Sequence, residues 1–221
     1  AVNTTGRDVN GDGRTAAHDA PNTDRNQTVD ELQARINICN GARADLLVEP
    51  LRPVTDDEVE RLWADGVVVL RGILPTAWLD ALAEPLEQTI TRGEAADLGS
   101  IAGAEPGTAG FNAGVDHWRR DEAFAAFALR SPLAPIVATL LRSARVVLWE
   151  DSVLVKEPGT PFETRFHTDA AYFHCEGEQL CTVWVPLDAA TPDSGMVRWV
   201  RGSHRLGEEF LQALRLIVPD A

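Results

Sequence analysis

The sequence predicts an α+β fold, with helices first and a run of short strands afterwards, and three observations carry that prediction. Residues 55–141 space their apolar side chains as helices do, residues 145–200 space theirs as strands do, and Pro-Gly, Glu-Gly-Glu and Pro-Asp-Ser-Gly turns separate the strand runs. Helices grouped ahead of strands, rather than alternating with them, point to a β part built as a sandwich or barrel. A chain of 221 residues is long enough for one good-sized domain with an appendage.

Residues 1–45 are polar, rich in Asn, Asp, Thr and Arg, and are expected to form a flexible extension ahead of a domain at 46–221. Within them, residues 8–19 have the spacing of a Ca²⁺ loop. Asp8, Asn10 and Asp12 stand at loop positions one, three and five, Gly13 at six and Asp19 at twelve. The stretch resembles the loops of EF-hand and dockerin modules. It occurs once, ends in Asp rather than Glu and follows no clear apolar helix, so an acidic extension without tight calcium binding is expected, with a Ca²⁺ site as the alternative.

The folded domain opens with Thr55, Asp56, Asp57 and Glu58, a capping box that starts a helix carrying Val59, Leu62 and Trp63 on one face. Asp65 and Gly66 end it, and residues 67–70 read as a buried strand. Pro75, Ala77, Leu79, Leu82, Leu86 and Ile90 mark a second helix. Residues 93–114 are rich in Gly and Ala with weak periodicity and read as a long loop. Helical spacing returns from Phe124 to Leu141, interrupted at Pro132. Strands are then expected at 145–155, 162–167, 180–185 and 196–200.

Charge narrows the partners. With 20 basic and 34 acidic residues the formal charge is −14, which repels nucleic acid and anionic membrane surfaces and leaves a small molecule as the expected partner. Arg198, Arg201 and Arg205 form the one local basic patch, and Lys156 is the only lysine. Cys39, Cys175 and Cys181 are odd in number and too few for a disulfide framework. No run of eighteen apolar residues and no signal-peptide pattern occurs, so a cytoplasmic protein is expected.

The chemistry centres on His167 and Asp169. A His and a carboxylate are two of the three ligands in the facial triad of non-haem Fe(II) sites, and on a strand residues two apart share a face. His-x-acid steps also arise by chance, since this acidic composition places an acid two residues after roughly one His in six. His174 and Glu176 form a second such step.

Context separates the two. Asp151, Lys156 and Gly159, then His167, Thr168, Asp169 and Tyr172, then Val183-Trp184-Val185-Pro186-Leu187-Asp188, then Ser194-Gly195 and Gly202-Ser203-His204, follow one another as in a known family. In order and spacing the chain from about residue 50 to 221 resembles the phytanoyl-CoA dioxygenase family. The resemblance implies helices packed on a double-stranded β-helix, or jelly roll, that holds Fe(II) and uses 2-oxoglutarate and O₂. It assigns His167 and Asp169 to the iron as the catalytic pair, Lys156 and Ser203 to the co-substrate, and Tyr172 to the pocket wall. It further implies hydroxylation of a small-molecule metabolite, with succinate formed from the co-substrate; retention of Asp169 speaks against the halogenating variants. Arg201 stands where the family usually has Pro, and Ser194 where Asn precedes Gly. The family's third ligand, a His beyond the Gly-Ser-His turn, and the Arg that follows it are expected beyond Ala221. On that reading the last strands are missing and this chain alone is inactive. The rivals are a cupin-like metal-binding protein without oxygenase activity, in which His204 completes the site, and a Ca²⁺-dependent interaction module.

Overall fold

In the computed structural model of the chain, the residues described are 2–4, 46, 48–169, 173, 177 and 179–206. The first helix, α1 (Asp56–Asp65), begins as its capping box requires. Thr55 Oγ1 accepts the Glu58 N–H at 3.2 Å, and Glu58 Oε2 accepts the Thr55 N–H at 2.9 Å. Arg52 adds a two-pronged contact, 2.9 and 2.6 Å to the two Glu58 oxygens. Gly66 ends the helix at φ 75°, the left-handed conformation that suits glycine, and its N–H returns to the Leu62 carbonyl.

After β2 (Val67–Val68) comes α2 (Ala77–Thr91), which buries Trp78 and Leu82. The stretch expected as a long loop instead holds β3 (Ala96–Asp97), the four-residue α3 (Leu98–Ile101) and β4 (Phe111–Val115). One side chain organises it. Asp97 Oδ1 accepts from the Gly99 and Phe111 amides at 3.0 and 3.2 Å, and Oδ2 accepts from the Ser100 hydroxyl at 2.6 Å. A polar residue that binds backbone leaves no apolar period to read. A 3₁₀ turn at His117–Arg119 leads to α4 (Glu122–Arg130) and α5 (Leu133–Leu140). Residues 122–140 reach membrane-spanning length and hydropathy as one stretch. Ser131 and Pro132 divide them, however, and Phe124, Ala125, Ala126, Ile136 and Leu140 are buried in the core.

Of the four expected strands, two form in shortened versions: β5 (Ser152–Lys156) and β6 (Cys181–Val183). Residues 162–167 and 196–200 are irregular. The strands make two three-stranded antiparallel sheets, ordered β3-β4-β5 and β2-β1-β6. The central strand of the second sheet, β1 (Val2–Thr4), lies inside the range read as a flexible extension, which is corrected at those residues. Val2 pairs with Val68 on one side and Val183 on the other, and Asn3 with Val67 and Thr182. Helices with antiparallel sheets make an α+β fold; the described strands by themselves do not lay out the expected jelly roll.

Two apolar clusters form the core. Val59, Leu62, Val68, Ile73, Ile136 and Leu140 join α1, β2 and α5, with Cys181 and Val183 of β6 packed against them. Leu82, Trp118, Phe124 and Val153 join α2, α4 and β5. The first cluster anchors β6, and β6 carries one wall of the site described next.

Candidate metal centre

His167 and Asp169 converge, although not on a strand. The backbone bends at Phe166 and turns at Asp169, whose carbonyl accepts the Phe173 N–H at 3.2 Å. Alternation of side chains describes half-burial but cannot supply the neighbouring backbone a ladder needs, so the strand expectation for this step is corrected. What brings the pair together is hydrogen bonding. His167 Nδ1 lies 2.7 Å from the Arg165 carbonyl oxygen, and His167 Nε2 lies 3.3 Å from Asp169 Oδ1. Asp169 Oδ2 accepts the Thr182 hydroxyl of β6 at 2.6 Å.

The donor set decides what this geometry can hold. A carbonyl only accepts, so Nδ1 carries the proton, and in the neutral ring Nε2 presents its lone pair toward a carboxylate oxygen. Two acceptors facing each other at 3.3 Å repel unless a proton or a cation sits between them. In this arrangement a shared proton holds the two together as a His–Asp ion pair, and a divalent cation would take that proton's place. The Asp169 hydrogen bond holds the imidazole above its usual pKa, with help from the Arg165 carbonyl and against burial. His167, and after it the Thr182 hydroxyl, hold the Asp169 carboxyl below the usual range, again against burial. Neighbouring ligands of an ion bound at ~2.1 Å lie roughly 3 Å apart, so the pair fits a first-row divalent cation. Among the described residues no group of three or more His, Cys, Asp or Glu joins into a metal site.

The other predicted residues stand on separate elements where they are described. Lys156 ends β5 with Nζ 4.8 Å from the Phe111 ring centroid, and its stem approaches the turn at Gly195. Burial lowers its pKa, with Glu163 opposing. Ser203 begins the 3₁₀ turn Ser203–Arg205, half-buried. Tyr172, His174 and Glu176, and the calcium-loop pattern at 8–19, lie outside the described residues.

His204 does not complete the site. It packs on Gly66 so closely that a Cβ there would come within 2.1 Å of its Nδ1. The whole Gly-Ser-His turn docks on the C-terminal end of α1. The Gly202 N–H bonds the Asp65 carbonyl at 2.7 Å, Arg205 donates to the Trp63 carbonyl at 2.6 Å, and Arg201 pairs with the Asp65 carboxylate at 2.8 Å. Arg201 thus gains a partner 136 residues away. Beside it, Arg61, Arg71 and Arg201 help line an open cleft of about 770 Å³ along α1 and β2, away from His167 and Asp169.

Sequence reasoning missed Thr182, because a lone Thr in an apolar strand carries no signal beyond strand propensity. Trp184, two residues on, meets Trp199 edge-on with ring centroids 6.0 Å apart, while Arg198 stacks over Phe166 at 5.7 Å. Phe166, next to His167 in the chain, thus carries an arginine on its ring face. A second buried polar group surrounds Asp151. Its Oδ2 accepts the Trp118 N–H at 2.9 Å, Oδ1 is buried without a hydrogen-bond partner, and the ring nitrogens of the wholly buried His117 also lack partners.

Comparison with known proteins gives one match. The family model described as Phytanoyl-CoA dioxygenase (PhyH) aligns with residues 63–216, which include His167, Asp169 and Thr182. No curated protein and no solved structure matches.

Proposed function

Because the chain belongs to the phytanoyl-CoA dioxygenase family, we propose that it is an Fe(II)- and 2-oxoglutarate-dependent oxygenase that hydroxylates a small-molecule metabolite, with His167 and Asp169 as iron ligands. The observation that carries this reading is the facing pair itself. An imidazole nitrogen and a carboxylate oxygen stand 3.3 Å apart, each turned toward the other by a hydrogen bond on its far side. When bound, the iron and keto acid supply the oxidising power, through decarboxylation of 2-oxoglutarate to succinate with O₂.

The chain's own residues have simpler tasks. His167 keeps its proton on Nδ1 and offers Nε2; Asp169 supplies negative charge on the neighbouring position. Lys156 and Ser203 are the groups we assign to the carboxylates of 2-oxoglutarate, with Tyr172 at the pocket wall. A jelly roll completed around these strands is the architecture we expect. The formal charge of −14 supports a small-molecule partner over nucleic acid or an anionic membrane, and a cytoplasmic location is part of the same proposal.

Iron-dependent succinate formation from 2-oxoglutarate, assayed on the complete open reading frame, tests the reaction. His167→Ala and Asp169→Ala should each abolish it, whereas His204→Ala should leave measurable turnover provided the fold holds. Turnover by His167→Ala at the parent rate would overturn the assignment.

A further inference from the structure

We propose that Thr182 is a positioning residue that restricts Asp169 to ligation through one oxygen, and so keeps a coordination position open for the co-substrate. The inference rests on the metal pair proposed above and extends it to a residue that neither the motif nor the composition singles out. Its basis is the division of labour between the two Asp169 oxygens. Oδ1 faces His167 Nε2 at 3.3 Å, while Oδ2 is occupied by the Thr182 hydroxyl at 2.6 Å, a short contact for a hydroxyl on a carboxylate. A carboxylate free to rotate could offer both oxygens to one ion. That would fill a position that a facial site leaves open for its reactants. With Oδ2 committed to a hydroxyl, only Oδ1 faces the metal side.

The donor is itself well anchored. Thr182 is the middle residue of β6, opposite Asn3 of β1, and Cys181 and Val183 on either side pack against the first core cluster. The backbone that carries the hydroxyl is thus held by a ladder and by the core, while Asp169 lies in a turn with little regular structure of its own. Rigidity passes from the sheet to the ligand through one hydrogen bond. On the other side, the Arg165 carbonyl does the same for His167.

The test uses Mn(II) and the protein of the complete open reading frame, as in the succinate assay, with unbound Mn(II) followed by electron paramagnetic resonance. Thr182→Val keeps the shape and removes the hydroxyl; Thr182→Ser keeps the hydroxyl and removes the methyl. Expected is a rise in the Mn(II) Kd of about 10–100-fold for Thr182→Val, with Thr182→Ser within about threefold of the parent. Co(II)-loaded Thr182→Val should also show weaker visible absorption, as the second carboxylate oxygen raises the coordination number. Wild-type affinity and an unchanged Co(II) spectrum in Thr182→Val would overturn the proposal while leaving the metal pair standing. Equal loss in both variants would overturn it too, since a packing role for the strand then accounts for the effect. Failure of the unmutated protein of the complete open reading frame to bind Mn(II) would remove the metal pair and this inference with it, and is distinguished by needing no substitution.

Discussion

The surroundings of Asp151 make it a weaker acid than an ordinary carboxyl. Burial, with Asp116 repelling it, pushes its carboxyl up to about 6, against the pull of the backbone N–H groups it accepts. A carboxyl near 3.9 in the unfolded chain and near 6 in the fold binds its proton more tightly when folded. Its contribution therefore favours folding at low pH and is lost as pH rises from about 4 through 6. The linked change is of order 2–3 kcal/mol. Replacing it as Asp151→Asn should remove that component. In urea denaturation the variant should gain stability relative to the parent between pH 4 and 7, and parallel pH profiles would contradict this. Gly66 offers a second single-residue test. It needs a left-handed φ of 75°, and any Cβ meets His204. Gly66→Ala should cost about 1–3 kcal/mol from backbone strain, with the contact adding to it, read as a lowered Tm.

At the scale of elements, α1 concentrates the most local information and receives the most distant contacts. Its N-terminus is closed by Thr55 and Glu58, with Arg52 holding Glu58 below the usual carboxylate range. Thr55→Ala should cost about 1 kcal/mol, measured as a shift in the denaturation midpoint. Because the Glu58 carboxyl is depressed, its contribution is present above its unfolded pKa and fades as pH falls through the folded value, opposite in sign to that of Asp151. The C-terminus carries carbonyls that no later turn of helix satisfies. The Gly-Ser-His turn satisfies two of these, at Trp63 and Asp65, and Arg201 neutralises Asp65. In this chain the turn thus serves as a C-terminal clamp on α1.

Across the molecule, β1 ties early and late parts of the chain together. It lies between β2, which is fixed by the first core cluster, and β6, which presents Thr182 to Asp169. Removing residues 1–4 should leave two unpaired strands of two and three residues, too short to hold a sheet. Faster amide exchange at Cys181, Thr182 and Val183 and a higher Mn(II) Kd are the expected results. Unchanged exchange there would mean that β6 is held by the core alone.

The sequence by itself determined the features whose causes lie within a few residues of one another. The Thr55 box, the stop at Gly66, the helix at Ala77–Thr91, the break at Pro132 and the closeness of His167 to Asp169 are all of this kind. A cap or a helical period is a local contract between neighbours, so it can be read without knowing the fold. The family is legible for a related reason, because it is written in the order of short motifs. Tertiary structure alone decided which apolar runs found ladder partners, that residues 2–4 would become a central strand, and that Arg201 would face Asp65. It also set Thr182 against Asp169. A ladder depends on backbone groups that can lie more than a hundred residues away, and alternation of side chains names the buried face without naming that partner. The pair proposed as ligands was visible in the sequence, and the hydroxyl that bonds one of them was not.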